Sequence, residues 1–138
     1  MIIFFGRWVK ISTSEDNIAL FRIMSNPRLK VLIIDDEEDL CLLIKTYLSR
    51  KDCEVFTANS LSEGLKKLND LLPDILFLDN NLPDGLGWEV AERILKQHPQ
   101  IQVHLISAFN PPQIKESIPV TRVWEKPISL RDLDRYFA

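Results

Sequence analysis

Residues 74–87 read DILFLDNNLPDGLG. The run Ile75-Leu76-Phe77-Leu78 has no polar alternation, so it reads as a strand buried on both faces. It stops at Asp79. Asn80, Asn81, Pro83, Asp84 and Gly85 then supply turn chemistry, and Asp84-Gly85 reads as nothing beyond that. A doubly buried strand that ends on a carboxylate holds that carboxylate rigidly at the edge of a sheet.

The same grammar repeats on either side. KVLII (30–34), CEVFT (53–57), IQVHLI (101–106) and VTRVW (120–124) read as further strands around the one at 74–78. Between them the apolar period changes to that of a helix. Leu40, Leu43, Ile44, Tyr47 and Leu48 stripe residues 39–50, and Leu61, Leu65, Leu68 and Leu72 stripe SLSEGLKKLNDLL, opened by a Ser60/Glu63 capping box and closed at Pro73. Trp88, Ala91, Ile94 and Leu95 stripe 87–97. Ser129 and Asp132 open a short last helix over 130–137. Strictly alternating strands and helices, with several strands apolar on both faces, predict an α/β fold: a five-stranded parallel sheet covered by helices on both sides. Only 18 residues separate Ser107 from Lys126, and they include Pro111, Pro112 and Pro119. The fourth helix is therefore expected to be shortened to something like QIKESI (113–118), or missing.

Composition narrows the function classes. The 138 residues are 46% apolar and 27% charged, with net charge −3 and pI ≈ 5.4. These are the proportions of one globular domain. There is no basic stripe for direct nucleic-acid binding, and no run approaches the roughly 18 apolar residues of a membrane span. Cys41 and Cys53 form no CxxC pair and share no metal-ligand spacing with His98 or His104, which suits reduced thiols in a cytoplasmic protein. His104, inside an apolar strand, reads as a hydrogen-bonded core or edge histidine. Residues 1–28 do not fit the repeating pattern. They are expected to be an N-terminal extension to a domain at 29–138, and residues 1–23 to be an upstream start or a strand or helix laid on that domain.

In an open parallel sheet, ligands gather at the carboxyl ends of the strands. The first strand ends in Asp35-Asp36, the third in Asp79, the fourth in Ser107-Ala108 and the fifth in Glu125-Lys126-Pro127. The second ends in Thr57-Ala58-Asn59, with nothing as pointed. If the strand order is 2-1-3-4-5, three carboxylates, a hydroxyl and an ammonium meet at one edge. Each close pair of carboxylates costs on the order of 4 kcal/mol, so the cluster needs a cation or raised pKa values. All-oxygen ligands, with backbone carbonyls offered by the Asn80-Asn81 turn, suit Mg²⁺. Asp79 can then act as a nucleophile toward phosphorus, with Lys126 neutralising charge and Ser107 hydrogen-bonding a phosphoryl oxygen. Taken singly, Asp35 or Asp36 could equally cap a helix, and Lys126 could be a solvated charge. Glu37, Glu38 and Asp39 read as a favourable acidic first turn, with Glu37 close enough to tune a metal.

VLIIDDEEDL, DILFLDNNLPDG, LISA and WEKPI occur in the order, and near the spacing, of a known family. Over residues 29–138 the chain resembles the receiver domain of bacterial two-component response regulators. The resemblance implies a flavodoxin-like (βα)5 sandwich with strand order 2-1-3-4-5. It implies Asp79 as phosphoacceptor, and Asp35, Asp36, Asp79 and the backbone carbonyl of Asn81 as Mg²⁺ ligands. Ser107 would be the switch hydroxyl, and Lys126, before a cis proline, the phosphate-pairing lysine. The implied partners are a histidine kinase or histidine phosphotransfer protein, docking on the exposed side of the first helix, and a downstream protein. The implied role is a signalling phosphoacceptor rather than an enzyme, with weak self-phosphorylation and self-dephosphorylation, and the chain's end at Ala138 suggests a stand-alone, chemotaxis-regulator-like receiver. One departure is Val123, where the family usually has an aromatic switch residue. It leaves open a binding or scaffold module, or a phosphate sink, without the usual switch. An aspartyl-phosphate phosphohydrolase is disfavoured, because Asn81 stands where its second aspartate would be.

Overall fold

Five of the apolar runs become one parallel sheet. The computed structural model describes residues 2–4, 7–9, 28–108 and 118–138. Strands β1 (Ile2–Phe4) and β2 (Arg7–Val9) pair with each other antiparallel. The sheet itself is built from β3 (Leu29–Ile34), β4 (Cys53–Ala58), β5 (Ile75–Asp79), β8 (Gln102–Ser107) and β9 (Arg122–Glu125). Between β5 and β8, the two-residue strands β6 (Asn81–Leu82) and β7 (Gly85–Leu86) form a small antiparallel hairpin. The helices among the described residues are α1 (Glu38–Ser49), α2 (Leu61–Leu71), α3 (Gly87–Gln97) and α4 (Leu130–Phe137).

The sheet order is β4-β3-β5-β8-β9, every pair parallel. This is the expected order 2-1-3-4-5 of a flavodoxin-like sandwich. Apart from Ile118, the segment QIKESI lies outside the described residues, as does most of 1–28, so the expectations for a shortened fourth helix and an N-terminal extension fall there.

Alternate residues of each strand point to opposite faces, and two cores result. Val31, Ile33, Phe77 and Ile106 join Ile44, Leu48, Trp124 and Leu133 beneath α1 and α4. Leu32, Ile34, Leu76, Leu78, Val103 and Leu105 join Leu68, Ala91 and Ile94 beneath α2 and α3. Burial of each large side chain stabilises the fold by about 1.5–3 kcal/mol. All five residues of β5 are buried, Asp79 included.

Boundaries differ from the sequence reading by one or two residues, where end turns fray. One apolar assignment is corrected. Leu72 does not join the stripe of α2: it is the left-handed C-cap at φ 46° and is 53% exposed, and Leu71 packs on the core in its place. The helix ends there because Pro73 disfavours an α conformation in the residue before it. Ser129 and Asp132 form a full capping box on α4.

Candidate functional site

Each strand end delivers its polar residue to the same edge. Asp35 follows β3, Asp79 closes β5, Ser107 closes β8 in register with Glu125, and Lys126 follows β9. Carboxylate oxygens of Asp35, Asp36 and Asp79 all lie within 4.8 Å of one another. The Lys126 ammonium reaches in among them, 3.2 Å from Asp35 Oδ2, 3.2 Å from Glu37 Oε1 and 3.4 Å from Asp79 Oδ2. The Lys126-Pro127 peptide bond is cis. Ser107 is buried, and its carbonyl accepts from the Lys126 N–H at 2.7 Å. Asp35 is wholly buried, Asp79 nearly so, and Asp36 exposed.

Burial dominates the electrostatics. It pushes the Asp35 carboxyl up to about 6; the Glu37 N–H bond opposes this, and the Asp79 charge adds to it. Burial also raises Asp79, against the pull of the Lys126 ammonium. For Lys126, burial works downward, but Asp35 and Asp79 outweigh it, and its pKa is raised. One ammonium thus serves two buried carboxylates, a combination that keeps affinity for a further cation.

The donor set fits a hard divalent ion. It offers only oxygen, and Asp35 Oδ2 is buried, with no partner among the described residues beyond the Lys126 ammonium at 3.2 Å. A carboxylate oxygen so placed keeps a lone pair for a cation. Asn81 stands beside the cluster, and its backbone draws the Asp79 carboxyl downward against burial. A cleft of about 460 Å³ opens over Lys126, lined also by Glu37, Leu43 and Ala108.

Three residues outside the expected set hold the site together. Asp84, read from sequence as turn chemistry alone, accepts from the N–H groups of Leu61 (2.7 Å) and Ser62 (2.8 Å) at the start of α2. These bonds hold its carboxyl below the usual range. Asn59, from the strand end that offered nothing pointed, donates its Nδ2 to the Asp35 carbonyl at 2.9 Å. Asn80 caps α3: its carbonyl takes the Gly87 N–H (3.0 Å) and its side chain that of Trp88 (3.4 Å). These bonds run between sequence-distant turns, so local spacing gave no signal of the first two. Neither Asp35 nor Asp36 is the N-cap of α1. The N-cap of α1 is Glu37, without a side-chain cap bond, and Asp35 Oδ1 accepts the Glu37 N–H at 2.8 Å.

Comparisons with known proteins place this architecture. The profile of the response regulator receiver domain matches residues 31–135. Response regulator protein PilR of Pseudomonas aeruginosa is 34% identical over 82 residues, 59% of this chain and 18% of PilR. Response regulator protein VraR of Staphylococcus aureus is 36% identical over 83 residues, 59% of this chain and 40% of VraR. The chain therefore spans well under half the length of either relative. Among solved structures, the CheY-like response regulator receiver domain protein of Methanospirillum hungatei superposes with a TM-score of 0.69 at 24% identity, over 79% of this chain and 90% of that one.

Proposed function

From the premise that this chain belongs to the response regulator receiver domain family of two-component systems, we propose that Asp79 is its phosphoacceptor. A carboxylate oxygen of Asp79 attacks phosphorus in line. The new O–P bond forms as the P–N bond of a phosphohistidine breaks, and the electron pair leaves with the imidazole nitrogen. The partner is thus a histidine kinase or a histidine phosphotransfer protein. Exposed Leu42 and Leu130 line a second hollow that shares Asp39 and Leu43 with the cleft over Lys126, and they supply apolar contact for its docking. A cytoplasmic location follows from that partner chemistry, and no helix among the described residues is long and apolar enough to cross a membrane.

Asp35, Asp36, Asp79 and the Asn81 carbonyl are the ligands proposed for Mg²⁺. When bound, Mg²⁺ supplies charge neutralisation for the phosphoryl oxygens. β5 fixes Asp79 for attack, so little orientational freedom is lost at the moment of reaction. Lys126 pairs with the phosphoryl group after transfer, and Ser107 offers it a hydroxyl. Asp79 turns over no substrate of its own, so the chain works as a signalling acceptor, with self-phosphorylation and self-dephosphorylation as slow side reactions.

The observation that carries the reading is the convergence of Asp35, Asp36 and Asp79 on one 4.8 Å cluster beside Lys126. The test is incubation with acetyl phosphate and Mg²⁺, followed by intact mass. One added phosphoryl group is expected in the wild type and none in Asp79→Ala. An unlabelled wild type, beside a labelled control receiver, overturns it.

Val123 favours a second reading. It is 37% exposed and has no ring to bury, so output through an inward-moving aromatic side chain at that position is unavailable. A phosphate sink or scaffold needs no such movement. Loss of label back to a phosphotransfer histidine, without a change in amide exchange on β9, is the outcome expected of a sink.

A further inference from the structure

We propose that Asp84 and Asn59 form a metal-independent brace that sets the distance between the two carboxylate-bearing loops, with Asp84 as its central positioning residue. The proposal rests on the reading above that these carboxylates hold Mg²⁺.

The brace is a path of hydrogen bonds joined by short runs of chain. It begins beside Asp79, whose chain runs through Asn80 directly into Asn81 and the hairpin that follows. Asn81 and Leu82 pair with Leu86 and Gly85 in the β6–β7 hairpin, and Pro83-Asp84 is its turn. Asp84 then grips the first two N–H groups of α2 with its two oxygens, at 2.7 and 2.8 Å. The third N–H, that of Glu63, goes to Ser60 Oγ at 3.1 Å, a cap local to α2 that lies outside the path. Glu63 Oε2 takes the Asn59 N–H at 3.3 Å. Asn59 Nδ2 closes the path on the Asp35 carbonyl at 2.9 Å.

The chemistry makes this more than an ordinary helix cap. A helix leaves its first N–H groups to solvent or to its own N-cap. Here two of them are claimed by a carboxylate 22 and 23 residues away in sequence. The positive end of the helix dipole favours that charge. Ser60 serves α2 alone, whereas Asp84 joins α2 to the loop that follows Asp79. The two caps therefore separate a stability role from a positioning role. Residues that orient metal ligands typically change metal affinity 10- to 100-fold when removed.

The test uses the full chain. Mg²⁺ is titrated calorimetrically into wild type, Asp84→Ala, Asp84→Asn and Ser60→Ala, with a urea melt for each. Asp84→Ala is expected to weaken Mg²⁺ binding about tenfold and Asp84→Asn by less. Ser60→Ala is expected to lower the melt midpoint while keeping the wild-type Kd. A wild-type Kd in Asp84→Ala, or equal weakening in Ser60→Ala, overturns the brace. A wild type that gives no Mg²⁺ heat overturns the metal reading instead. Amide exchange then decides the brace alone: Asp84→Ala should speed exchange at Asn81, and an unchanged rate there overturns it.

Discussion

Trp124 donates its indole N–H to Nδ1 of His104 across 3.0 Å, and both side chains are buried. The bond fixes the tautomer. Nδ1 is the acceptor, so Nε2 carries the proton, and Nε2 has no hydrogen-bond partner. Phe77 stacks on the imidazole at 4.9 Å, and the Tyr136 ring meets it edge-on at 5.3 Å. A second proton would have to enter at Nδ1, where the Trp124 N–H already points. Burial, with the Arg122 charge adding to it, pulls His104 down to about 4.

Stability is expected to follow that titration. The folded pKa lies below the unfolded value, so the unfolded chain binds more protons in between. The contribution is complete above about pH 6.5 and is lost as pH falls toward 4, a swing of about 3 kcal/mol. Asp35, raised to about 6, runs the opposite way over the same window, since its folded form holds the extra proton. Urea melts of wild type against His104→Phe isolate the histidine. The wild-type advantage should shrink as pH drops from 7 to 4, and parallel curves would contradict the assignment.

Lys126→Met strands Asp35 and Asp79 in the interior without their counter-charge. Removing one partner of a buried ion pair costs about 3–5 kcal/mol. Both carboxyls already sit above their usual range, and the loss of the ammonium moves them further up. The penalty should therefore be large at pH 7.5 and smaller at pH 5, where protons replace the ammonium. Denaturant midpoints at the two pH values check this.

Mg²⁺ should stabilise the wild type by mass action, by about 2.7 kcal/mol at a hundredfold excess over Kd. Asp35→Asn should lose that response. Without metal the same variant should be more stable than wild type by about 1–3 kcal/mol at pH 7.5, because a buried carboxylate held at a raised pKa is removed. Thermal melts with and without Mg²⁺ measure both effects, and an undiminished Mg²⁺ response in the variant would count against Asp35 as a ligand.

Gly87→Ala and Gly64→Ala should separate the site from the fold. A Cβ on Gly87 would run into the backbone oxygen of Asp79 and the Leu78 side chain, whereas one on Gly64 would run into the side chain of Ile34. Overpacking costs about 1–3 kcal/mol in either case. Only Gly87→Ala should also weaken Mg²⁺ binding and acetyl phosphate labelling, because relief there moves Asp79 itself.

What the sequence made legible follows from locality. The parallel α/β class followed from alternating periods, which are written in consecutive residues, whereas the strand order came from the family resemblance. The convergence of Asp35, Asp36, Asp79 and Lys126 was legible because strand ends in a parallel sheet meet at one edge whatever the loops do. Asp84 and Asn59 were missed because their partners lie 23 and 24 residues away, and an Asp before Gly looks the same whether it turns the chain or grips a distant helix. Leu72 was misplaced because an apolar residue in helical register also suits a left-handed cap. The hydrogen bond from Trp124 to His104 depends on the pairing of β8 with β9, which no local pattern encodes.

Cys41 sits under the site, buried, its thiol donating to the Asp35 carbonyl at 3.4 Å and pushed up to about 12; Cys53 is also buried, with its pKa raised. Thiolate is the reactive form, so an alkylating reagent finds almost none while the domain is closed. The rate at which maleimide marks Cys41 therefore clocks excursions that part α1 from β3. Running that clock with and without phosphodonor would report whether filling the acidic edge tightens the layer behind it.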